Sequence, residues 1–312
     1  MALIFLAAAP FSVDALTVSP VLFDQTLDPG TSVKGAIRAI NDSDDAQTYY
    51  LSAQKFVPDG EEGHQNFLPE DDKSGIVSWL RLEQVKIEIP PRGSVEVPWV
   101  ANVPGDAEPG GHYGAIFFST RPPGDVEGVG VGAKTGVLLL LNVNGDVRED
   151  MELVSFQAIL PDGGSWTSRI PIHFQTRVKN TGSVHVLPAG TIEVSGLFGT
   201  ATVVDANPRR SRSLPAGIRR IDSWWGDELD TARGGFWHET AMEWKNFAIG
   251  KYTAQLKVQY GRSGREVLGQ TEFWIFPWHV MLIAFGSVVG ILLLLKGYNY
   301  LIVRSAMRKQ KK

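Results

Sequence analysis

The sequence contains no cysteine, which excludes disulfides, a thiolate nucleophile and any metal site built on cysteine. Before the C-terminal apolar run, no long stretch repeats its apolar residues at the helical period of about 3.6. Positive charge is also scarce: between residues 16 and 278, 24 basic residues face 33 acidic ones, a net charge of −9. A body this acidic lacks the electrostatic footprint of a nucleic-acid-binding protein, so no nucleic acid partner is predicted.

Histidine is sparse, and its pattern excludes the common catalytic and metal motifs. The 6 histidines are scattered singly, and no G-x-S-x-G, HExxH or glycine-rich phosphate loop occurs. His185 lies in NTGSVHVLPAG, between two turn signals, and is interpreted as a surface or packed structural residue. Acidic groups such as Asp42, Asp44 and Asp45 do not match a calcium loop and are interpreted as solvated turns. No catalytic, cofactor-binding or metal-binding residue is predicted.

One long apolar run stands near the C-terminus. The 22 residues 274–295 carry no formal charge and would span about 33 Å as a helix, which matches a hydrocarbon core about 30 Å thick. The remaining residues contain no acid, and their basic residues are Lys296, Arg304, Arg308, Lys309, Lys311 and Lys312. By the positive-inside rule, residues 274–303 are predicted to be a transmembrane helix and residues 304–312 a basic cytoplasmic tail.

The first fifteen residues, MALIFLAAAPFSVDA, are predicted to be a signal peptide. An apolar stretch is followed by Val13, Asp14 and Ala15, which fits the small-x-small rule for cleavage after Ala15. No basic residue precedes the apolar stretch, so an N-terminal strand is the alternative. Together with the C-terminal helix, the signal predicts a single-pass type I protein of the cell membrane, with an extracytoplasmic body and a cytoplasmic C-terminus.

The body between these segments is predicted to be all-β. Short runs rich in β-branched and aromatic residues, such as VKGAIRAI and TYYLSAQKF, alternate with clusters of Pro, Gly, Asn and Asp. About seven such runs precede residue 150, as an immunoglobulin-like sandwich needs, and a second series follows it. The sequence therefore predicts two tandem immunoglobulin-like β-sandwiches, residues 16–146 and 147–273, followed by one transmembrane α-helix.

The two halves share identical residues at a constant offset of 139 positions, which indicates a tandem duplication. Asn41 and Asn180 end strands, where a short amide side chain can bond the backbone and start a turn. Tyr113 and Tyr252 each stand near a glycine at the head of a strand. The hydroxyl of a tyrosine corner in that place ties the preceding connection to the sandwich. All four residues are therefore assigned structural roles.

Aromatic residues are concentrated in the segment SWWGDELDTARGGFWHETAMEW. They would form either strand core with an interfacial belt, or an exposed patch for a protein or glycan partner. The candidate partner-binding residues are Trp224, Trp225, Phe236 and Trp237.

Inside the apolar run, Gly286 and Gly290 form a G-x-x-x-G pattern. The two glycines lie one turn apart on the same helix face and would let another helix backbone approach closely. The pattern predicts association with another span, either of a second copy or of a partner. A passive anchor is the alternative.

The sequence resembles the WxL-interacting proteins of the bacterial cell surface. The first domain of that family is similar to LTVSPVLFDQTLDPGTSVKGAIRAIND, to WLRL at 79–82 and to VEVPWVANVPGDAEPGGHYGAIFFS, and the membrane-proximal domain is similar to NTGSVHVLPAG and FWIFPW. The resemblance implies two immunoglobulin-like domains and a C-terminal membrane anchor. It further implies that the first domain binds peptidoglycan and the second a surface protein. The chain has no W-x-L motif, so it would be the interacting side.

The leading hypothesis is a non-enzymatic, membrane-anchored surface protein that binds the cell wall or another surface protein. Two alternatives stay open. One is a surface glycan hydrolase whose two carboxylates are brought together by the fold, which would need a concave site with the carboxyl groups at a matching separation. The other is an accessory subunit of a membrane complex, whose span would pack against other helices.

Overall fold

The computed structural model describes residues 16–122, 134–161, 163–197, 199–232 and 234–309. The predicted signal peptide, residues 1–15, and the end of the basic tail, residues 310–312, lie outside the described residues. The described chain consists mostly of β-strands that form two β-sandwich domains, followed by one long apolar helix. This arrangement confirms the predicted fold class.

The first half of the body contains two sheets. Its elements are β1 (Leu16–Ser19), β2 (Leu22–Leu27), β3 (Ser32–Asn41), β4 (Gln47–Asp59), β5 (His64–Phe67), α1 (Ile76–Trp79), β6 (Leu80–Leu82), β7 (Lys86–Ile89), β8 (Ser94–Asn102), β9 (Gly110–Ser119) and β10 (Lys134–Val143). The strand orders are β1-β3-β8-β6 and β2-β10-β9-β4-β5, with β7 paired to β4. Strands β2 and β10 run parallel, and β10 continues antiparallel to β9.

The core of this half lies between its two sheets, because apolar side chains alternate along the strands that face it. Ile37 on β3 and Trp99 on β8 are fully buried there. Strand β9 and much of β10 are buried on both faces. Tyr113 of β9 and Leu140 of β10 pack with Phe56 in a second, smaller cluster outside the main core. This double cover explains why β10 has the apolar run VLLLL instead of an alternating pattern.

The second half of the body also contains two sheets. Its elements are β11 (Met151–Ile159), β12 (Trp166–Thr167), β13 (Ile172–Asn180), β14 (Ala189–Gly196), β15 (Gly199–Asp205), β16 (Ile218–Trp225), a 3-10 turn (Glu228–Thr231), α2 (Phe236–Lys245), β17 (Gly250–Tyr260), β18 (Arg265–Ile275) and α3 (Trp278–Lys309). The strand orders are β11-β13-β16 and β12-β18-β17-β14-β15.

The two halves have matching strand orders. The order β1-β3-β8 corresponds to β11-β13-β16, and β2-β10-β9-β4 corresponds to β12-β18-β17-β14. Even the parallel pair recurs, since β12 runs parallel to β18 as β2 does to β10. Asn41 and Asn180 end the corresponding strands β3 and β13, and Tyr113 and Tyr252 lie on the corresponding strands β9 and β17. These placements are the ones that a tandem duplication predicts.

Contacts within the chain define two compact units. The first comprises Met1–Glu152, Lys179–Leu187 and Arg212–Arg219, and the second comprises Leu153–Val178, Pro188–Ser211 and Arg220–Lys312. The division cuts through β13 and β16, so the units differ from the two halves of the sequence. The boundary expected between residues 146 and 147 stays a prediction.

Helix α3 begins at Trp278, a few residues after the predicted start of the span at residue 274. Trp274 still belongs to β18, where it pairs with Lys251 and its N–H donates to the carbonyl of Ser165 (2.9 Å). Residues Trp278–Ile302 have a mean hydropathy of 2.3 and are long and apolar enough to cross a membrane. Gly286 and Gly290 lie on this helix, and a methyl group at either position would meet no heavy atom of the described chain within 4 Å other than the neighbouring backbone of α3. Their role in helix association stays a prediction.

Candidate functional site

A groove in the second unit is the strongest candidate for a binding site. Its volume is about 540 Å³, and it is lined by Thr202, Val203, Val204, Asp205, Pro208, Arg209, Asp222, Trp224, Trp225, Gly226, Asp227 and Glu228. Most of these residues belong to β15, to β16 and to the turn that follows β16. The lining therefore combines aromatic, aliphatic and charged side chains, as ligand-binding clefts do.

The groove runs along two edge strands. Strand β15 ends the five-stranded sheet and β16 ends the three-stranded sheet, and among the described residues no further strand pairs with either outer edge. An unpaired edge presents a row of backbone N–H and C=O groups that can pair with a strand from another chain. Val203 on β15 is well exposed beside this edge. The site thus offers both a backbone edge and an apolar contact.

Trp224 is held in place on the outer face of β16. Its ring stacks on the imidazole of His173 from β13, with the ring centroids 4.4 Å apart and the planes within 15°. His173 Nε2 lies 2.8 Å from Asp222 Oδ1, and Arg220 Nε donates to the other oxygen of Asp222 at 3.2 Å. Since these groups order one another, Trp224 forms a preorganised aromatic contact surface.

The acidic residues of the groove are engaged by neighbouring groups. Asp222 accepts from two basic side chains, and Glu228 lies 3.8 Å from the guanidinium of Arg209. Asp205 accepts a hydrogen bond from the backbone N–H of Asn207 (2.8 Å). Among the described residues, no group of three or more His, Asp or Glu side chains could hold a metal ion.

The four predicted partner-binding residues lie on two elements, β16 and α2. Trp224 and Trp225 both line the groove, but the Trp225 ring also packs inward, 5.3 Å from the ring of Tyr252. Phe236 and Trp237 lie on α2, where they contact each other with their ring centroids 5.3 Å apart. The role of these four residues in partner binding stays a prediction.

His185 is buried and serves a structural role, in agreement with the packed alternative of its prediction. Its Nε2 lies 2.9 Å from Asp24 Oδ1, and Arg212 donates to the other oxygen of Asp24. Burial alone would raise the pKa of Asp24, but the hydrogen bonds and positive charges of His185 and Arg212 outweigh it and hold the pKa below its ordinary value. These residues all belong to the first unit.

For Tyr113, the hydrogen bond that a tyrosine corner predicts is not among the contacts of the described residues. Its hydroxyl is buried over Gly111, close to where a Cβ of that residue would stand, and it has no hydrogen-bond partner in the part of the chain that the structure describes. Burial raises the pKa of Tyr113, and the backbone of His185 offsets part of the rise. The residue contributes through packing, next to Phe56 and Leu140. Tyr252 similarly stacks on the ring of Phe273.

Asn41 and Asn180 organise the turns after their strands through buried amides. The Asn180 amide donates to the carbonyls of Val184 (2.8 Å) and Ser213 (2.7 Å), and its oxygen accepts from the N–H of Gly182 (2.8 Å). Asn41 bonds the backbone on both sides of its turn in the same way, through Asp45 and Ile89 among others. Asn207, which the sequence reading did not single out, plays the same part after β15.

No family model matches the chain, and no curated protein matches it. Similar solved structures include one described as "Chaperone-tip adhesin complex is vital for synergistic activation of CFA/I fimbriae biogenesis" (12% identity, 82% of this chain and 98% of that chain covered, TM-score 0.38). The class 5 fimbriae chaperone CfaA (11%, 82% and 99%, TM-score 0.36) and the E. coli chaperone DraB (12%, 84% and 97%, TM-score 0.34) are also similar. Similarity at this level carries no conclusion about a partner, and membership of the WxL-interacting family stays a prediction.

Proposed function

We propose that this chain is a non-enzymatic, membrane-anchored cell-surface protein that binds an extended segment of another surface protein in the groove of its second unit. The observation that carries the proposal is the groove itself, which lies along the edges of β15 and β16 with which no other strand of the described chain pairs. A segment that adds to such an edge gains main-chain hydrogen bonds, while its alternate side chains enter the cleft.

Trp224 and Val203 would supply the apolar contacts in this mode of binding. Trp224 is already ordered by His173 and Asp222, so little conformational entropy is lost when a partner packs against it. Large aromatic residues are enriched among the residues that dominate binding energy at protein interfaces. The groove therefore supports a protein partner, as the resemblance to WxL-interacting proteins implies for the membrane-proximal domain. Peptidoglycan binding by the first domain follows from that resemblance alone.

The apolar helix supports the anchoring role. Residues Trp278–Ile302 have the length and hydropathy of a span, and the basic residues beyond them favour a cytoplasmic C-terminus. In this orientation the groove faces the outside of the cell, where a wall or surface partner is found. The glycan-hydrolase alternative would instead depend on two carboxyl groups held at a matching separation across a concave site. An accessory role in a membrane complex would depend on the helix instead of the groove.

Site-specific photocrosslinking in intact cells tests the proposal. With a photoreactive amino acid at Val203, we expect a defined adduct with one surface protein. The matched control is Gln255, which is also exposed but lies on β17, inside the sheet, where no strand can add. The Trp224→Ala change should reduce the adduct formed from position 203. No protein adduct at 203, or equal adducts at 203 and 255, would contradict binding at this edge.

A sedimentation assay with purified peptidoglycan separates the wall from a protein partner. If the full chain sediments and Trp224→Ala abolishes the effect, the groove binds the wall and the protein-partner proposal is wrong. If sedimentation is unaffected by Trp224→Ala, the wall contact lies outside the groove, in keeping with a role of the first domain.

A further inference from the structure

Helix α2 buries acidic side chains and exposes aromatic ones, which is the reverse of an ordinary amphipathic helix. Its two buried residues are Glu239 and Glu243, whereas Trp237 and Trp244 are 75% and 73% exposed. Since 239 and 243 are one turn apart and 237 and 244 are two turns apart, the acids share one face and the tryptophans share the opposite face. The helix thus turns its carboxylates towards the protein and its largest apolar side chains outward.

Each buried acid has a specific structural partner. Arg169 Nε donates to Glu239 at 2.8 Å, in a pair whose side chains are almost completely buried. Glu243 accepts from the backbone N–H of Val280 (3.0 Å) and from His279, both in the first turn of α3. Glu243 therefore satisfies a backbone donor at the N-terminus of α3, where a negative charge is also favoured by the helix dipole. These contacts fix α2 directly beside the start of the apolar helix.

Exposed aromatic residues surround this point. We refer to them as the aromatic collar, which consists of Phe236, Trp237, Trp244, Phe247, Trp274, Phe276 and Trp278. Phe236 joins the two helices within it, because its ring centroid lies 6.3 Å from that of Trp278. Phe236 therefore links the exposed aromatic face of α2 to the start of the apolar helix α3.

We propose that the aromatic collar lies in the interfacial layer of the lipid bilayer, so that α2 rests on the membrane with Trp237 and Trp244 among the headgroups and upper acyl chains. The inference rests on the proposed anchoring by α3. Because Glu243 holds α2 at the first turn of α3, the outward face of α2 is at the depth where the span enters the bilayer. Tryptophan prefers this layer, and an interfacial helix places such residues on its lipid-facing side.

A lipid occupant explains the position of the collar better than a protein occupant. A protein partner gives no reason for the aromatic residues to surround the start of the apolar helix. A membrane does give such a reason, because every collar residue belongs to α2, to α3 or to the segments that adjoin them. The collar also restrains the second unit against the surface, because a single span alone would leave the domain free to tilt.

The absence of cysteine allows the proposal to be tested with single environment-sensitive labels. Trp237→Cys and Trp244→Cys place a fluorophore on the collar, and the full chain is reconstituted into phosphatidylcholine–phosphatidylglycerol vesicles with or without brominated lipid. Leu268→Cys is the matched control, because Leu268 is an equally exposed apolar residue away from the collar. Leu292→Cys, in the middle of α3, reports whether the span is in the bilayer.

We expect labels at 237, 244 and 292 to emit at shorter wavelength and to be quenched by brominated lipid, while the label at 268 shows neither effect. If the label at 292 is quenched but the labels at 237 and 244 behave like the label at 268, the collar proposal is wrong and the proposed anchoring by α3 is retained. Labels at 237 and 244 that shift without quenching would show a covering protein surface, such as a second copy, and would also overturn it. If 292 is not quenched, the anchoring role fails and the collar proposal falls with it.

Discussion

An Arg169→Met variant is expected to lose about 3–5 kcal/mol of its free energy of unfolding, because removing one member of a buried ion pair leaves the other as an uncompensated charge. The side chains of Arg169 and Glu239 are only 2% and 9% exposed, and their N and O atoms lie 2.8 Å apart. Arg169 also donates to the carbonyls of Asp230 and Ala232, which would lose their partner as well. Urea unfolding of the full chain in detergent micelles measures the loss.

The same variant should release α2 from the domain, which hydrogen exchange can localise. Faster exchange of the amides in 236–245, with little change in β17, would show that the ion pair holds this helix. The matched control is Lys251→Met, which removes an exposed ion pair with Glu272 in the same unit and should have little effect on stability. A stability of Arg169→Met close to that of the control would contradict the role assigned to the buried pair.

Asn180→Ala is expected to lose about 1–3 kcal/mol of the free energy of unfolding, because a buried polar group left without a partner costs about that much. The substitution removes the Asn180 amide, which donates to the Val184 carbonyl. The Ser213 carbonyl and the Gly182 N–H each lose one of two bonds, because the former also accepts from the Val186 N–H and the latter also donates to the Asp150 carbonyl. Asn180 is completely buried, so water cannot replace these contacts without a local rearrangement. Asn41→Ala should cause a loss of the same order, since it occupies the corresponding position and bonds the backbone in the same way.

Asn102→Ala is the control for these two variants. Asn102 is exposed and accepts one hydrogen bond from the Ser32 hydroxyl, so its removal should change stability only slightly. If Asn180→Ala and Asn102→Ala have the same free energy of unfolding, the buried amide of Asn180 does not stabilise its turn. A large loss for Asn41 with none for Asn180 would show that the two turns differ in spite of their matching places in the fold.

Local patterns in the sequence were sufficient for the fold. Alternating apolar residues gave the strands, the uncharged run gave α3, and the constant offset between Asn41 and Asn180 pointed to a duplication that the matching strand orders support. The asparagine turns could be foreseen because the partners of Asn180, apart from Ser213, are within a few residues along the chain. Such features depend on contacts between residues that are close in the chain, and these can be predicted from a single sequence.

The candidate sites could not be read from the sequence in the same way. The groove depends on β15 and β16 being the outer strands of two different sheets, which no local pattern specifies. The orientation of α2 was hidden because its acids would be expected to face solvent. They are buried only because Arg169 and His279, distant in sequence, supply their partners. Trp244 was left out of the predicted site, although its spacing of seven from Trp237 places both on one helix face.

Protease protection of intact cells tests most directly whether α3 crosses the membrane and holds the β-sandwich body outside the cell. A full chain with a C-terminal tag is exposed to protease with and without permeabilisation. We expect protease outside intact cells to digest the body and to leave a small tagged fragment that contains α3. A body that survives until the cells are permeabilised, or a tag that is lost from intact cells, would contradict it.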